Sequence, residues 1–366
     1  MKKSVVIVGA GVVGLSLARD LALKGIDVTV YDANKRIFEN AARASGILSV
    51  SGLQRIAIPY QKAEVNRLAG AVLHAGNETL HVKAERTMAL VIDRCKLAEE
   101  SLSEAKKAGA VTILGKRLYK DDVISIAKDK GTVLVGSDGA VSTVANAFSF
   151  PSIKEYVLTY KVEYEKARVE DPGIVDMFFS NIASRFFAWT VPYSKEKVEA
   201  GIGVGYFAKR NSADAFRSFE KTNDMLVNAK RVKEWASIIP LSCRGVTVKG
   251  NVALVGDAAG QVKATTGGGI IFGVSCAKTL SDVIANHVKK GTPLSEYERA
   301  WRRKYATDLK LHNLLHKYYA GIDTKNFERL FRISKLFGAE TFLSRYGDMD
   351  RPSAMIKKFF MRGLTP

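Results

Sequence analysis

The sequence predicts an α/β protein in three parts: a parallel-sheet domain, an antiparallel sheet inserted into it, and a helical C-terminal region. Three observations carry this. The run Val5-Val-Ile-Val8 leads into Gly9-Ala-Gly11-Val-Val-Gly14. After Pro151, apolar runs separated by turn residues follow one another, until Asn251-Val-Ala-Leu-Val255 returns to the pattern of a buried strand. From Glu298 onward, aromatic and aliphatic residues recur at helical spacing.

Val5 to Val8 is apolar at every position, as expected of a parallel strand covered on both faces. A helix from Val12 to Lys24 and a strand from Val28 to Tyr31, ending at Asp32, complete a β-α-β unit. Leu97 to Ala108 is amphipathic and helical, and Val133 to Val135 is a short buried strand running into Gly136-Ser-Asp-Gly139. Beyond Pro151, strands are expected at Val157–Tyr164, Ile174–Phe179, Phe186–Val191 and Val198–Tyr206, followed by a helix from Ala215 to Ala236. The first domain is then discontinuous, over residues 1–50, 82–150 and 245–290. Residues 51–81 and 151–244 form the inserted domain, and 291–366 the helical region. In that last region Trp301, Tyr305, Leu309, Leu315 and Tyr319 form one series, and Phe327, Leu330, Phe331 and Phe337 another.

Composition narrows the function classes. Hydrophobic residues make up 47% of 366, enough for a sizeable core. No run of about 18 apolar residues free of charge is present, which argues against a spanning helix. Cys95, Cys243 and Cys276 are odd in number and far apart, so neither a disulfide framework nor a metal cluster is expected, in keeping with a reducing compartment. Lys2 and Lys3 before an apolar stretch imitate a signal peptide, but the three glycines and the next strand in phase favour a nucleotide fold. The formal net charge is +19, and the residues from Lys289 on hold 17 basic against 8 acidic side chains. Such an excess suits an anionic partner. No nucleic-acid recognition module accompanies it, so no nucleic acid is expected.

The glycine motif has a physical logic. Gly9 permits the tight turn, Gly11 lets backbone approach a pyrophosphate, and Gly14 lets helix and strand pack closely. The free N–H groups of the helix start supply positive potential. Asp32 stands 18 residues after Gly14, where a carboxylate accepts from ribose hydroxyls. The domain is therefore of the Rossmann type and is expected to bind a dinucleotide. Gly256-Asp257-Ala-Ala-Gly260 follows a second buried strand, placing Asp257 at a carboxyl end of the sheet, where ligands bind. The plainer reading of Asp257 is a helix N-cap.

Residues 256–273, GDAAGQVKATTGGGIIFG, resemble the geranylgeranyl reductases, including the archaeal digeranylgeranylglycerophospholipid reductases. The resemblance spans nearly the whole chain. It implies FAD as cofactor, with Asp257 on the ribityl chain and Gly267-Gly-Gly269-Ile270 opening a helix beside the isoalloxazine ring. Asp93-Arg94 resembles the family's Asp-Arg, with Arg94 contacting FAD. Ser137-Asp138-Gly139 resembles its second fingerprint, under the cofactor. Ser45 and Gly46 belong to a loop in which family members often carry a Cys at the position of Ala44. Phe187-Ala-Trp189-Thr-Val-Pro192 resembles the motif YxWxFP that lines the isoprenoid cavity; Trp189 and Pro192 match, whereas Phe187 replaces Tyr and Val191 replaces Phe. Gly347-Asp-Met-Asp-Arg-Pro-Ser353 resembles an archaeal C-terminal signature. Asn146 stands where Arg is usual, and the chain is short between Gly115 and Gly136.

The activity so implied is saturation of C=C bonds in geranylgeranyl chains of lipid precursors, with hydride from reduced FAD and electrons from NADPH, ferredoxin or another donor. The alternatives are an FAD-dependent monooxygenase acting on an apolar substrate and a peripheral membrane protein that keeps FAD for structure. A cytoplasmic protein bound peripherally to the inner membrane face, with its basic C-terminal helices toward anionic lipid, is expected. No side chain is singled out as the proton donor; His74, His81, His287, His312 and His316 lie outside every motif.

Overall fold

A computed structural model describes residues 4–37 and 41–362; Lys2 and Lys3 lie outside the described residues. Strands β1 (Ser4–Val8), β2 (Asp27–Asp32), β8 (Val111–Leu114), β9 (Thr132–Gly136) and β16 (Val252–Leu254) lie in parallel in a sheet ordered β15-β16-β9-β1-β2-β8. Only the two-residue β15 (Val248–Lys249) runs antiparallel within it. Helices α1 (Val12–Ala22), α2 (Arg94–Lys107) and α6 (Ile270–Lys290) pack beside this sheet. Ile7, Leu15, Leu17, Leu21 and Leu280 are fully buried between them. Each such side chain contributes about 1.5–3 kcal/mol of transfer free energy.

The strands of the second sheet are β5 (Gly70–Ala75), β6 (Glu78–Lys83), β10 (Tyr156–Glu165), β11 (Ile174–Phe178), β12 (Ala188–Pro192), β13 (Lys197–Gly205) and β14 (Lys230–Pro240). Their order is β14-β10-β13-β12-β11-β5-β6. The sheet is antiparallel apart from the β11–β5 pair, which is parallel. A small third sheet joins β3 (Ile47–Ser49), β7 (Ala89–Ile92) and β4 (Glu64–Leu68).

One expected element is overturned. The helix expected from Ala215 to Ala236 stops early: α5 covers Ser212–Lys221, and Lys230–Pro240 is the edge strand β14. Asn228 takes a φ of +64°, which no helix tolerates, and β10 offers β14 a register running from Tyr156↔Pro240 to Glu165↔Lys230. Tertiary pairing overrides local propensity here. A further helix, α3 (Lys120–Lys128), and the short α4 (Thr143–Ala147) complete the first domain.

Helices α7 (Glu296–Tyr319), α8 (Thr324–Leu336), α9 (Ala339–Tyr346) and α10 (Pro352–Arg362) follow. Trp301 and Leu309 are buried on α7, whereas Leu315 is exposed, so the aromatic series does not form one buried stripe. Likewise Phe327 and Phe331 are buried on α8 but Phe337 is 84% exposed. Helix α9 covers the edge of the second sheet: Glu340 accepts from the amide of His81 and Ser344 Oγ from that of Lys83, at 2.7 and 3.0 Å. A sheet edge left open would recruit other strands.

Strand β13 turns Glu199, Gly201, Gly203 and Gly205 to one face, because side chains alternate along a strand. A methyl at Gly201 would lie 2.2 Å from Trp189, and one at Gly203 2.3 Å from Phe186. The glycines thus let two aromatic rings lie against the sheet. Gly201→Ala is expected to displace Trp189 and to lower stability by about 1–3 kcal/mol, the usual cost of overpacking. A denaturant midpoint equal to that of the wild type would contradict this packing.

Candidate functional site

A cavity of about 1170 Å³ runs from the carboxyl ends of β1 and β2, under β12, to the start of α10. Its volume exceeds the roughly 300–1,000 Å³ of a site for a single drug-sized ligand. Most of the residues singled out from the sequence meet in it. Gly9, Gly11, Asp32, Ser45, Arg94 and Asp138 line it from the first half of the chain. Phe187, Trp189, Asp257, Gly269 and Ile270 line it from the second. Gly14, Gly46 and Pro192 do not.

The glycines act through contact distances. A methyl on Gly14 would come 2.1 Å from the Gly9 carbonyl oxygen, and one on Gly9, whose φ is +103°, 2.3 Å from that of Ser137. Gly46 is equally constrained, 1.9 Å from the Ile92 carbonyl oxygen. Gly11 differs: nothing lies within 4 Å of its would-be methyl. It presents bare backbone to the cavity at the start of α1, as a pyrophosphate requires. Asp32 accepts from the amides of Ala10 and Asn34, both at 2.8 Å, and so braces this loop.

Around the middle of the cavity the charges are buried. Asp93 caps α2 through the amides of Cys95 and Lys96. Arg94 is half-buried, burial pulls its pKa down to about 10 against the opposing pull of Asp257, and its Nε, itself out of solvent, has no hydrogen-bond partner among the described residues. Burial likewise pushes the Asp257 carboxyl up, with Arg94 opposing. An unpartnered buried donor facing a cavity is the mark of a polar ligand. Asp138 is committed to the fold: Ser142 Oγ and the Val144 amide donate to it at 2.6 and 3.1 Å. Gly269 sits against Asp257, where a methyl would lie 2.6 Å from Oδ1.

The far part of the cavity is apolar and aromatic. Phe187 stacks on Phe186 at 4.3 Å and meets Trp189 edge-on at 5.8 Å. Pro192 ends β12, and its carbonyl accepts from Asn66 Nδ2 at 2.9 Å, outside the cavity. Leu343, Ser344, Met349 and Met355 close this part from the C-terminal helices.

Two buried clusters gather around carboxylates: Glu199, which lies in no motif, and Asp350, which lies in the C-terminal signature. Glu199, fully buried, accepts from Lys161 Nζ at 2.7 Å, Trp189 Nε1 at 3.0 Å, Tyr193 OH at 3.0 Å and the Ser45 hydroxyl. Lys161 holds its carboxyl below the usual range despite burial. In the other cluster, Asp350 accepts from Lys263 at 2.7 Å, from Arg55 at 3.2 Å and from Ser49. His312 joins it, with Nδ1 2.7 Å from Thr265 Oγ1 and Nε2 3.4 Å from the Asp350 carbonyl. These links tie the C-terminal segment to the glycine loop 263–269. No sequence motif surrounds Lys161, Glu199 or His312; their only signal is a charged residue within an otherwise apolar strand or helix face.

Among the described residues, no group of acidic, Cys and His side chains is placed to hold a metal. Residues 4–147 match the family model FAD dependent oxidoreductase. The chain is 25% identical to digeranylgeranylglycerophospholipid reductase 2 of Methanothermobacter thermautotrophicus, covering 91% of each chain. It is 24% identical to an uncharacterized protein of Methanocaldococcus jannaschii, over 96% of this chain and 93% of that one. In fold it is similar to a geranylgeranyl bacteriochlorophyll reductase-like protein of Thermoplasma acidophilum, with a TM-score of 0.81 and 17% identity over 97% of this chain and 95% of the other. A flavin-dependent brominase matches at a TM-score of 0.70 and 13% identity over 99% of each. The bare backbone at Gly11 and the orphaned Arg94 Nε fit FAD.

His312 generates a prediction. Burial, aided by Lys263, lowers its pKa to about 4 from an ordinary 6.5. The unfolded chain therefore binds more protons between these values, and stability falls as pH drops from 6.5 toward 4. At 1.36 kcal/mol per unit, the loss through this residue is about 3 kcal/mol. His312→Gln is expected to flatten that part of the pH–stability curve measured by denaturant unfolding, and an unchanged slope would refute it.

Proposed function

We propose that this FAD-dependent oxidoreductase saturates C=C bonds in the geranylgeranyl chains of membrane lipid precursors. The observation that carries the reading is the continuity of one cavity from the dinucleotide fingerprint to an aromatic wall. Similarity to reductases named for digeranylgeranylglycerophospholipids supports it. In this reading residues 1–50, 82–150 and 245–290 carry FAD, 51–81 and 151–244 bind the lipid, and 291–366 cap the site.

Gly9, Gly11 and Gly14 with the start of α1 would hold the pyrophosphate, Asp32 a ribose, and Asp257, Arg94, Ser45, Gly46, Gly269 and Ile270 the flavin half, while Asp138 shapes the loop beneath. When bound and reduced, FAD supplies hydride. An isolated alkene is unactivated, so the protein's work is to orient it and exclude water. Phe187 and Trp189 offer flat apolar area for an isoprenoid chain, with Phe186 behind them. Pro192 ends their strand and acts on its course.

An isoprenoid lipid must come from a bilayer. No helix of the described residues is long and apolar enough to cross a membrane. At the start of α7, Arg302 is not free for lipid: it binds Glu298 and the carbonyls of Arg244 and Gly245. Among the exposed apolar side chains of the C-terminal region are Leu336 at the end of α8, Phe337 after it, and Phe359, Phe360 and Met361 on α10, beside Lys357 and Lys358. These are the better membrane contact. Phe359→Ser with Phe360→Ser is expected to weaken co-sedimentation with anionic vesicles while leaving bound FAD unchanged; equal sedimentation would remove this contact from the reading.

With dithionite as donor, the holoenzyme is expected to add two hydrogen atoms per double bond to a geranylgeranyl lipid, read by mass spectrometry. Oxygen-dependent gain of one oxygen atom would establish a monooxygenase instead. Trp189→Ala is expected to impair lipid turnover with FAD content retained. Loss of FAD from that variant would make Trp189 a core residue and not a tunnel wall.

A further inference from the structure

We propose that Asp350, in the C-terminal signature, sets the reduction potential of bound FAD by governing the charge that Lys263 presents to the flavin. The inference rests on the placement of the flavin half beside Gly269 and Ile270, and it does not require a lipid substrate. Lys263 is 5% exposed and lines the cavity together with Asp257, Gly269 and Ile270. It lies against the glycine loop: a methyl on Gly268 would come 2.7 Å from its Cε and 3.3 Å from its Nζ. Its amide donates to the Gly268 carbonyl at 3.1 Å, and its carbonyl accepts from the Gly267 amide at 2.7 Å. Gly268 has no side chain to part the ammonium from the loop backbone.

Asp350 stands behind Lys263 and does not itself line the cavity. Its Oδ1 accepts from Lys263 Nζ at 2.7 Å, and its Oδ2 accepts from Arg55 at 3.2 Å and from the Ser49 hydroxyl. Burial pushes the Asp350 carboxyl up, but Lys263, Ser49 and Arg55 together outweigh burial and hold it below the usual range. Asp348 lies 3.8 Å from Arg55. His312, which also borders Asp350, is neutral near pH 7, because burial lowers its pKa to about 4. Two cations thus face two carboxylates, and the cluster carries no net charge.

Reduction by two electrons with uptake of one proton leaves one negative charge on the pyrimidine half of a flavin. Fixed charge near the ring is the protein's lever on that equilibrium. Two positive sources reach it from the glycine loop. Among the described residues no side chain caps α6 at Gly269, so the first amides of that helix present its partial positive charge. Lys263 adds a full charge, which Asp350 balances. Both members of the pair are out of solvent, so a charge left unbalanced there acts on the ring with little screening. Removing the carboxylate favours the reduced, anionic flavin; removing the ammonium disfavours it. Asp350 is therefore a positioning residue that acts through Lys263.

The test uses the FAD-loaded full chain, dithionite and reference dyes of known potential, without lipid. Asp350→Asn keeps the shape and removes the charge. It is expected to retain FAD and to bind sulfite about tenfold more tightly, since addition of sulfite also leaves the ring anionic. The same factor in a two-electron equilibrium raises the potential by about 30 mV. Lys263→Met is expected to move both readings the other way by a similar factor, and the double variant, neutral again, to return them near the wild type. A merely structural role would disturb both single variants in one sense. Should the buried variants fail to fold, Arg55→Gln, at a side chain 34% exposed, also leaves one carboxylate uncompensated and is expected to lower the potential. Readings that stay fixed or move in the same sense in Asp350→Asn and Lys263→Met, or a potential that does not fall in Arg55→Gln, overturn the inference alone. An Asp257→Ala variant that holds FAD as tightly as the wild type overturns the flavin placement and the inference with it. A wild type that saturates no lipid overturns the reductase reading and leaves the charge effect standing.

Discussion

Glu199 has no exposure to solvent, yet its carboxylate accepts from Ser45, Trp189, Tyr193 and Lys161, and the Ser45 bond ties the loop before β3 to the second sheet. Such a carboxylate is tolerated only when its oxygens are satisfied and its charge is paired. Ser45 belongs to the loop before β3, Trp189 to the wall of the cavity, and Lys161 to strand β10, next to the edge of the second sheet. If the pair were broken, an uncompensated charge would remain, and the relation between the two halves of the cavity would go with it. The position of the aromatic wall relative to the glycine loops is therefore an electrostatic matter before it is one of apolar packing.

The second constraint is backbone approaching backbone. Gly9, Gly14 and Gly46 each stand where a methyl would collide with a carbonyl oxygen of a neighbouring segment. These contacts let the start of α1, the Ser137 loop and the Ser45 loop converge on one end of the first sheet. The Asp350 cluster then closes the far side. Lys263 and Arg55 approach Asp350 from different parts of the chain, so the C-terminal signature is held to the glycine loop by charge and not by apolar burial. A segment held this way depends on its ion pairs being intact.

The β-α-β unit, the interruption of the first domain and its return at Val252 were legible because each has a local signature: apolar runs, glycines at fixed offsets, a carboxylate at a strand end. Eleven of the residues selected in this way or by the family resemblance line one cavity, from Gly9 to Ile270. What was illegible had long-range causes. Strand β14 looked helical because its pattern of Lys, Arg and Val suits either state, and only β10 decides it. The parallel placement of β5 beside β11 depends on a crossover between distant segments. Lys161, Glu199 and His312 carry no motif, since a buried charge is defined by partners up to 154 residues away, as Glu199 is from Ser45. Asp138 was selected as a residue of the cofactor loop, and its side chain is spent on capping α4.

The basic excess divides in the same way. Formal charge counts Arg302, Arg332 and Lys335 alike with Lys357 and Lys358, but the first three are engaged by Glu298 or Glu78. Charge that is paired at short range contributes little to the field seen by a distant anionic surface. On the proposed reading, attraction for such a surface would come from cations without acidic neighbours and would act where the exposed Phe359 and Phe360 lie. Met355, on the same helix as these rings, lines the cavity. One helix thus presents aromatic side chains outward and closes the cavity with its first turn. On the proposed reading, an apolar chain passing between bilayer and cavity along α10 would cross the least water, and that path would join the basic C-terminal region to the site through geometry as well as through charge.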